Sequence, residues 1–328
     1  MGEIEQNAAS DAVAAEQVAC GPRGVLIAAN PYSGHGPTRK RVYQLSAALD
    51  GHGLEPRVIW DRGERAEVLG RPDLATTCRC VVVAGGDGTV ADVINEMAAA
   101  VPLATLPSGN ENLFAREFGF TRDAKQLAAV IAAGRMRRID LARAHTPQMD
   151  SARTDLTRAG GRLFSLMLSV GFDAAVVHRV VEWRTNGDAM RRVRRLSYAK
   201  PILNVLRSYG YGRVELEADG VQVSGTHAFV FNLPQYGFRL PFAPDARGDD
   251  GLVDWLVFER PGFVPMLSYF LSLVRTKHLA RPDVHHGRAR RVRITAPEPM
   301  PVQMDGEAAG MTPVEVEIDA RELHVIVQ

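Results

Sequence analysis

Hydrophobic and polar positions alternate in two different ways along this chain. Up to about Arg138, short apolar runs such as Val25–Ala29 and Val81–Ala84 are each followed by apolar residues three or four positions apart. Continuous apolar runs are typical of strands buried on both faces, and the wider spacing is typical of amphipathic helices. Repeated strand–helix units predict a parallel sheet covered by helices, with ligands beyond the carboxyl ends of its strands.

The predicted strands of this first part are Val25–Ala29, Arg57–Trp60, Val81–Ala84 and Pro102–Leu106. Its predicted helices are Thr38–Leu49, Ala66–Gly70, Asp92–Ala100, Leu113–Phe118 and Asp123–Ala133. The pattern changes near Arg138–Ala144, and the strands predicted beyond it are Phe164–Val170, Arg213–Ala218, Thr226–Asn232, Leu252–Glu259, Arg291–Thr295 and Val314–Ile318. Few helical patterns separate these strands, which predicts a largely antiparallel sandwich or open barrel. Residues 146–161 have the composition of a turn and are predicted to form an exposed hairpin loop.

The change of pattern predicts two domains with different architectures. Residues 1–23 are predicted to be a disordered tail, because they are rich in Ala, Glu and Gln and lack the basic-then-apolar order of a signal peptide. An α/β domain with a parallel sheet is expected over 24–138, and a β-rich antiparallel sandwich domain over 139–313. The C-terminal strands, 314–328, are compatible with a return to the first domain.

Composition narrows the classes of protein that fit. The chain has 328 residues, is 46% hydrophobic and 23% charged, and carries a formal net charge of +1, which argues against bulk electrostatic binding of nucleic acid. Cys20, Cys78 and Cys80 are too few for a disulfide framework and lack zinc-site spacing, so reduced, buried cysteines of a cytosolic protein are expected. No apolar run approaches the roughly 20 residues that cross a bilayer.

The strongest chemical signal is a glycine-rich turn after the third predicted strand. Val81–Ala84 leads into Gly85, Gly86, Asp87, Gly88 and Thr89, and apolar residues with helical spacing follow. Glycine allows a tight turn and close approach of the backbone to a ligand. A strand, a glycine turn and a helix N-terminus together predict an anion site for phosphate groups, whereas a merely structural turn is the alternative.

Two further loops follow predicted strands in the same way. The first contains Asn30, Pro31, Tyr32, Ser33 and Gly34, and its hydroxyl and N–H groups are suitable phosphate donors. The second, residues 106–112, presents Ser108 and Asn110 and offers hydroxyl and amide groups to a ribose or phosphate. A plain Pro/Gly turn and an Asn-capped helix start are the structural alternatives. The chain has no Walker-type GxxxxGK[ST] sequence.

Carboxylates cluster in two turns of the second part. Residues 243–252 (APDARGDDGL) place Asp245, Asp249 and Asp250 before a strand, a composition that suits Mg²⁺, although a solvated acidic turn has the same composition. Asp305 and Glu307 flank Gly306 in a second tight turn between strands. Turns of this type are common, so this motif carries little weight by itself.

The series of motifs resembles the diacylglycerol kinase catalytic-domain superfamily, which includes bacterial diacylglycerol and related lipid kinases and the sphingosine and ceramide kinases. The matching segments are NPYSGHG, AGGDGTVADVINE, LPSGNENLFARE, Ile139-Asp140, VGFDA at 170–174, Asn232 with Tyr236-Gly237, APDARGDDGLVD, and MDGE followed by Thr312-Pro313-Val314. They occur in the family's order and cover roughly residues 24–328. The GGDGT sequence alone is shared with NAD kinases and phosphofructokinases, whose α/β fold is therefore expected here.

The resemblance implies ATP-dependent phosphorylation of a lipid hydroxyl in a cleft between the two domains, as part of phospholipid metabolism. It implies that the phosphates lie on the GGDGT turn and the loop from Asn30 to Gly34, with Asn110 near the nucleotide. By the same resemblance, Asp87 helps to organise the catalytic Mg²⁺, and a structural Mg²⁺ is held by Asp250 and the carbonyls of Arg247 and Leu252. Glu307, beside Asp305, falls at the position of the family's proton acceptor, and a carboxylate there suits that role.

The chain departs from the family pattern in two places. Bacterial members commonly have an Asp where this chain has Leu113, which puts the carboxylate network towards the second-domain metal in question; Glu111 is a candidate replacement. The family's nucleotide-contacting Thr falls near Ile59–Trp60, where Trp60 offers a stacking surface instead.

Basic residues suggest contact with an anionic membrane surface. From Arg184 to Arg213 the chain has eight Lys or Arg against one acid, Asp188, and from Arg275 to Arg293 it has seven against Asp283. Residues 264–274 (VPMLSYFLSLV) form an apolar, helix-compatible stretch beside the second cluster, which suits interfacial contact. The alternative is a solvated basic face and a core helix. The expected location is cytoplasmic and peripheral at a membrane, and the oligomeric state stays open between monomer and homodimer.

Three functions are therefore compared. The first is a cytosolic lipid kinase that uses ATP and Mg²⁺. The second is another small-molecule kinase with a GGDGT turn, such as an NAD kinase, which the MDGE turn and the DDG loop disfavour. The third is a nucleotide-binding protein without turnover, motivated by Leu113 in place of the family's Asp.

Overall fold

The computed structural model describes residues 16–17, 22–30, 37–151, 160–185 and 209–328. The predicted phosphate-loop residues Pro31, Tyr32, Ser33 and Gly34 lie outside these ranges, as does most of the first basic segment, 186–208.

The helices and strands are numbered here in chain order. The helices are α1 Pro37–Gly51, α2 Arg62–Leu69, α3 Leu74–Thr77, α4 Asp87–Glu96, α5 Leu113–Glu117, α6 Ala124–Ala133, α7 Pro147–Ser151, α8 Phe172–Thr185 and α9 Phe263–Val274. The strands of the first half are β1 Glu16–Gln17, β2 Gly24–Ala29, β3 Glu55–Ile59, β4 Cys78–Ala84, β5 Leu103–Thr105, β6 Arg135–His145, β7 Arg162–Phe164 and β8 Met167–Val170. Those of the second half are β9 Val214–Ala218, β10 Val221–Gly225, β11 His227–Phe231, β12 Val253–Phe258, β13 Val284–Ala289, β14 Arg291–Thr295, β15 Pro301–Met304, β16 Glu307–Met311 and β17 Val314–Ile326.

The first half contains the predicted parallel sheet. Strands β5, β4, β2 and β3 are neighbours in that order, and their pairings are parallel. The central strands β2 and β4 are almost entirely buried, as their apolar runs predict, because helices cover both faces of the sheet. Helix α6 begins after Asp123, whose side chain accepts hydrogen bonds from the next turn, and ends at Gly134 in the left-handed conformation.

The long strand β17 joins the two halves. Its first part pairs with β14, and its far end pairs in parallel with β5 through Val325 and Leu103. Along most of its length β17 also pairs antiparallel with β6. The parallel strands therefore continue directly into the antiparallel order β10-β9-β14-β17 within one sheet. The predicted boundary between residues 138 and 139 falls inside β6, so the chain has no linker at that point.

The second sheet is antiparallel, with the order β13-β12-β11-β8-β15-β16. The prediction of one strand over Phe164–Val170 was wrong, because the chain crosses from the first sheet to the second at Ser165 and Leu166. The buried inner side chains of this sheet and of β9, β14 and β17 form one hydrophobic cluster, which gives the predicted sandwich its core.

Two other local predictions need correction. Helix α4 begins at Asp87 and not near Asp92, so Asp87 is its first residue. The predicted hairpin loop over 146–161 contains helix α7, and residues 152–159 lie outside the described ranges. Within the described ranges, no helix has both the length and the apolar character needed to span a membrane.

Candidate functional site

A cavity of about 590 Å³ lies at the junction of the two halves. Its volume is within the range of small-molecule sites. The parallel α/β part contributes the glycine turn and helix α4, and strands β7 and β16 contribute Arg162 and Glu307. The residues around it are Asn30, Arg62, Gly86, Gly88, Thr89, Asp92, Asn95, Glu96, Gly109, Arg162 and Glu307.

The glycines of the GGDGT turn are required by close contacts. A Cβ on Gly85 would lie 2.5 Å from the Thr89 side chain, and one on Gly109 would lie 2.8 Å from the Cα of Gly86. The glycine turn and the 106–112 loop therefore pack backbone against backbone, which only residues without a side chain allow. This contact holds both loops at the N-terminus of α4, where backbone N–H groups and the helix dipole favour an anion.

Polar side chains fix the two loops around this helix start. The amide of Asn30, at the end of β2, donates a 3.0 Å hydrogen bond to the Thr89 hydroxyl. Asn112 closes the second loop, because its side chain accepts from the N–H of Gly109 and donates to the carbonyl of the same residue, each at 2.8 Å. Asn110 lies exposed on this loop and is not part of the cavity lining.

Asp87 is the first residue of α4. It is half-buried, and its Oδ1 accepts a 3.0 Å hydrogen bond from the N–H of Phe114 at the start of α5. Burial raises the pKa of the Asp87 carboxyl, and the N–H groups of Leu113 and Phe114 act against that rise. In this structure Asp87 ties α4 to α5, a structural role that its position in the motif did not reveal.

The MDGE motif forms the hairpin turn between β15 and β16, and its two carboxylates have different surroundings. Asp305 and Gly306 both have positive φ, 47° and 83°, as the two central residues of a type I′ turn do. The buried Asp305 carboxylate accepts hydrogen bonds from the N–H groups of Ser165, Leu166 and Met167 at 2.9–3.0 Å. It thereby holds the crossing between the two sheets, and it is not among the residues that line the cavity.

Glu307, by contrast, faces the glycine turn. A Cβ on Gly88 would lie only 2.7 Å from Glu307 Oε1, so this carboxylate rests directly on the first turn of α4. A hairpin of the second half thus brings one carboxylate to the helix start of the first half. Of the two acids in the motif, Glu307 is the one placed for chemistry in the cavity.

Several cavity residues were missed by the sequence analysis. Arg62 lies at the cavity and contacts Asp92 at 2.7 Å, while the buried Arg65 holds Glu96 through two hydrogen bonds. Asn95 exchanges hydrogen bonds of 2.9 Å with both backbone groups of Leu163 and so attaches α4 to β7. Arg162, next to Leu163, adds a cation on the opposite wall. Asp92, Asn95 and Glu96 lie three or four residues apart, a spacing that places them on one face of α4 and could have predicted a shared polar site. No local sequence feature predicted Arg162.

The acidic loop, residues 243–252, lies outside the cavity lining. Asp140 anchors it to β6, because the Asp140 carboxylate accepts from the N–H of Gly251 at 2.7 Å and its own N–H donates to the carbonyl of Gly248. Asp250 accepts from the N–H of Leu252 at 3.1 Å and forms a salt bridge with Arg288 of β13. The predicted ligands Arg247, Asp250 and Leu252 are therefore close in the chain but lie in a loop of their own.

The donor set of this loop fits a divalent cation. Asp249 Oδ1 in the loop and Asp254 Oδ2 on the adjoining strand β12 are buried without a hydrogen-bond partner among the described residues, and Asp249 forms salt bridges with Arg137 and Arg247. Burial, together with the charge of Asp245, raises the pKa of Asp254 to about 6. Carboxylate and carbonyl oxygens are the ligands that Mg²⁺ prefers, although here they would be shared with Arg137, Arg247 and Arg288. No three His, Cys, Asp or Glu side chains of the described residues converge as a complete side-chain site, so any ion here relies on carbonyls and water.

The two departures from the family pattern have structural counterparts. Leu113 is half-buried at the start of α5 and packs against the core, and its N–H faces Asp87. Glu111 lies 3.7 Å from Arg116 and not in the cavity lining. The guanidinium of Arg39 lies 5.2 Å from the centre of the Trp60 ring, so one face of that ring already has a partner.

The first half is a parallel α/β structure with a glycine turn, and it continues into an antiparallel sandwich whose hairpin lines the cavity. This combination is typical of a two-domain kinase of the GGDGT type. The diacylglycerol kinase catalytic domain matches residues 24–144, and the YegS C-terminal NAD kinase beta sandwich-like domain matches residues 167–327. The Mycobacterium tuberculosis diacylglycerol kinase is 28% identical over 309 residues, which cover 92% of this chain and 94% of that protein. The chain belongs to the diacylglycerol kinase catalytic-domain superfamily, as its motifs indicated.

Other comparisons agree with this assignment. The Bacillus subtilis diacylglycerol kinase is 27% identical over 253 residues, covering 75% of this chain and 77% of that one. A crystal structure of a diacylglycerol kinase from Bacillus anthracis superposes with a TM-score of 0.64 at 18% identity, over 93% of this chain and 97% of that chain. At such identity the superposition establishes the fold alone, and it confirms the predicted fold class.

Proposed function

We propose that the protein is an ATP- and Mg²⁺-dependent lipid kinase that phosphorylates a hydroxyl group of a lipid such as diacylglycerol or a sphingoid base. The observation that carries this proposal is the contact of Glu307 with Gly88. It puts a carboxylate from one half of the molecule on the anion-binding helix start of the other half. The relatives named diacylglycerol kinase support the choice of a lipid acceptor.

The first half is suited to hold the phosphates of ATP. The start of α4, with Gly88 and Thr89, lines the cavity, and the Thr89 hydroxyl, which accepts from Asn30, can donate its own proton to a phosphate. Arg162 adds a cation to the cavity lining, whereas Arg62 is paired with Asp92. Phosphoryl transfer depends mainly on positioning and charge neutralisation, and these groups supply both.

Glu307 is suited to accept the proton of the lipid hydroxyl. A general base must lie within hydrogen-bond reach of the attacking oxygen, and a hydroxyl entering between Gly88 and Arg162 would meet this carboxylate. As the hydroxyl oxygen attacks the terminal phosphorus of ATP, its proton passes to a Glu307 oxygen, the bond between that phosphorus and the bridging oxygen breaks, and ADP leaves. Arg162 then offsets the negative charge that gathers on the transferred phosphoryl group.

Mg²⁺ would be held in the acidic loop by Asp250 and the carbonyls of Arg247 and Leu252. There it would supply positive charge that fixes the loop against β6 and β13. Asp87 remains our candidate for organising the metal that accompanies ATP, although its carboxylate also ties α4 to α5. The expected setting is the cytoplasm, with peripheral contact at a membrane.

The proposal is tested by offering the purified protein labelled ATP and Mg²⁺ together with a total lipid extract. We expect label in the organic phase, in a product that mass spectrometry identifies as a phosphorylated lipid. The product also names the acceptor. A parallel reaction with NAD instead of lipid tests the NAD kinase alternative.

Glu307→Gln serves as the control for a contaminating kinase, since it should remove the lipid label while the protein stays folded. Label in NAD and none in lipid would replace the proposal by a small-molecule kinase. ATP binding without label in either product would favour a nucleotide-binding protein without turnover.

A further inference from the structure

Helix α9 presents an unusual outer face. Its side chains Phe263, Val264, Leu267, Phe270, Leu271 and Val274, called here the apolar stripe, are each between 43% and 75% exposed. Their spacing along the helix places all of them on one side. Only three other large hydrophobic side chains of the described residues are comparably exposed, Tyr43, Val221 and Phe238, and each lies on a different element. A contiguous exposed apolar face of this kind marks an interaction surface.

The opposite face of α9 fixes the helix to the second sheet. Tyr269 and Leu273 are buried, and the Tyr269 hydroxyl accepts from the N–H of Arg260 at 3.0 Å. Arg281 lies over the Tyr269 ring, 4.9 Å from its centre, and donates to the Ser268 hydroxyl. The packed inner face therefore holds α9 in place, and the apolar stripe faces solvent.

The charged side chains closest in sequence to the apolar stripe are mainly basic. No acidic residue occurs in the sequence between Glu259 and Asp283, while Arg260 precedes the helix and Arg275 and Lys277 follow it, all exposed. Four of the other five basic residues of the 275–293 cluster form salt bridges elsewhere: Arg281 with Asp283, Arg288 with Asp250, Arg291 with Glu317 and Arg293 with Glu315. Arg260 itself lies 3.7 Å from Asp283, so the net positive charge beside α9 lies mainly at its C-terminal end, at Arg275 and Lys277.

We infer that α9 inserts its apolar stripe into the interface of an anionic lipid bilayer. An apolar helix face buries roughly 5–10 Å deep at the headgroup boundary, while cations beside it contact anionic headgroups. A second copy of this chain fits less well, because a two-fold contact between two such helices brings Arg260 of one against the Arg275 and Lys277 of the other. This inference rests on the proposed function only in that a lipid acceptor gives the enzyme a reason to visit a membrane.

The test compares vesicle binding by the full-length protein and two double variants. Leu267→Gln with Phe270→Gln removes apolar contact, and we expect binding to phosphatidylcholine vesicles containing phosphatidylglycerol to fall by about tenfold or more for each side chain. Arg275→Gln with Lys277→Gln should lower the same binding by about fivefold for each charge. On vesicles of phosphatidylcholine alone the charge variant should match the wild type.

Val221→Gln is the matched control, since Val221 is 52% exposed on β10, away from α9, and its loss should leave vesicle binding unchanged. Turnover of a water-soluble, short-chain diacylglycerol should be unaffected in both α9 variants. Undiminished vesicle binding of the Leu267/Phe270 variant would overturn the inference while leaving the kinase proposal intact. The inference would also be overturned if the wild type is a dimer and the Leu267/Phe270 variant is a monomer with unchanged vesicle binding, since the apolar stripe would then face a second copy. If vesicle binding depends on α9 but the protein has no kinase activity, the inference that α9 binds the membrane is supported and the proposed function is contradicted.

Discussion

At the scale of single residues, the two carboxylates of the MDGE turn differ in what they can do. Asp305 is committed to three backbone N–H groups at the sheet crossing, whereas Glu307 lies on the glycine turn. One hairpin therefore places a buried acid that holds the backbone and an acid that lines the cavity two residues apart. The sequence alone left both as candidates for the proton acceptor.

We expect Glu307→Gln to lower kcat by about 10²–10⁴-fold, the usual contribution of a general base, with little change in ATP affinity or thermal stability. The amide keeps the shape of the side chain but cannot take the proton. Steady-state kinetics at saturating ATP, with calorimetric melting of the same samples, check this expectation. Near-normal turnover would remove Glu307 from the mechanism.

For Asp305→Asn we expect mainly a loss of stability, of about 1–3 kcal/mol, because an amide replaces one carboxylate oxygen that accepts buried N–H groups. Urea unfolding measures that loss, and activity should be compared per folded molecule. If the variant is stable and its kcat falls further than that of Glu307→Gln, Asp305 is the base instead.

At the scale of elements, the acidic loop depends on what lies beside it. Asp140 holds it to β6, and Arg288 of β13 pairs with Asp250. A bound Mg²⁺ would have to share the Asp250 carboxylate with this arginine.

We therefore predict opposite effects for two substitutions of this pair. Asp250→Ala should abolish most of the increase in Tm that Mg²⁺ produces, because an ion bound only to the native state stabilises it by mass action. Arg288→Ala breaks the same salt bridge but keeps the carboxylate, so its Tm should still rise with Mg²⁺. Melting curves across a Mg²⁺ titration make the comparison. An equal Mg²⁺ response in wild type and Asp250→Ala would place the ion elsewhere.

Strand β11 begins with a buried histidine that makes stability depend on pH. Burial lowers the pKa of His227, against the effect of its hydrogen bond with the Thr226 carbonyl. In the unfolded chain His227 binds a proton with the ordinary pKa of about 6.5, whereas in the folded chain it binds one only at a lower pH. The contribution of His227 to stability is present above that pH and is lost as the pH falls below it.

We expect the free energy of unfolding to fall less for His227→Gln than for wild type between about pH 7.5 and about pH 5.5. Urea unfolding of both proteins at both pH values gives the pH-dependent change in the free energy of unfolding for each. When the two changes are subtracted, the contributions of the other titrating groups cancel. Burial also lowers the pKa of His278, so part of the pH dependence should remain in the variant. Identical pH dependence in the two proteins would contradict the assignment to His227.

At the scale of the whole molecule, β17 and β6 make the two halves one structure. Val316 of β17 faces the sandwich core, and Val325 of the same strand pairs with β5 of the parallel sheet; both are fully buried. The cavity depends on this union, because its walls come from both halves.

We predict a single cooperative unfolding transition. Val316→Ala and Val325→Ala should each cost about 2 kcal/mol and lower the same Tm, although they lie in different halves. Scanning calorimetry checks this through the ratio of calorimetric to van't Hoff enthalpy, which should be close to unity. Two separate transitions, with each variant shifting only one of them, would show that the halves unfold independently.

The sequence by itself determined the local features of this protein. Apolar runs and turn residues located the buried strands β2 and β4, the helix α6 between Asp123 and Gly134, and the glycine turn before α4, because hydrophobic periodicity and backbone sterics act over a few neighbouring residues. The ordered series of motifs was enough to identify the superfamily. Of the cavity residues, Asn30, the glycine turn and Glu307 were all marked in advance.

The tertiary structure decided what depends on segments far apart in the chain. The break at Ser165 exists because the distant Asp305 satisfies its backbone, and Arg162 reaches the cavity because Asn95 fastens β7 to α4. In the same way, Asp87 turns to α5, and the apolar face of α9 stays outside because Tyr269 and Leu273 anchor its other side. Local periodicity does not predict these contacts, since each depends on which elements pack against one another in the folded chain.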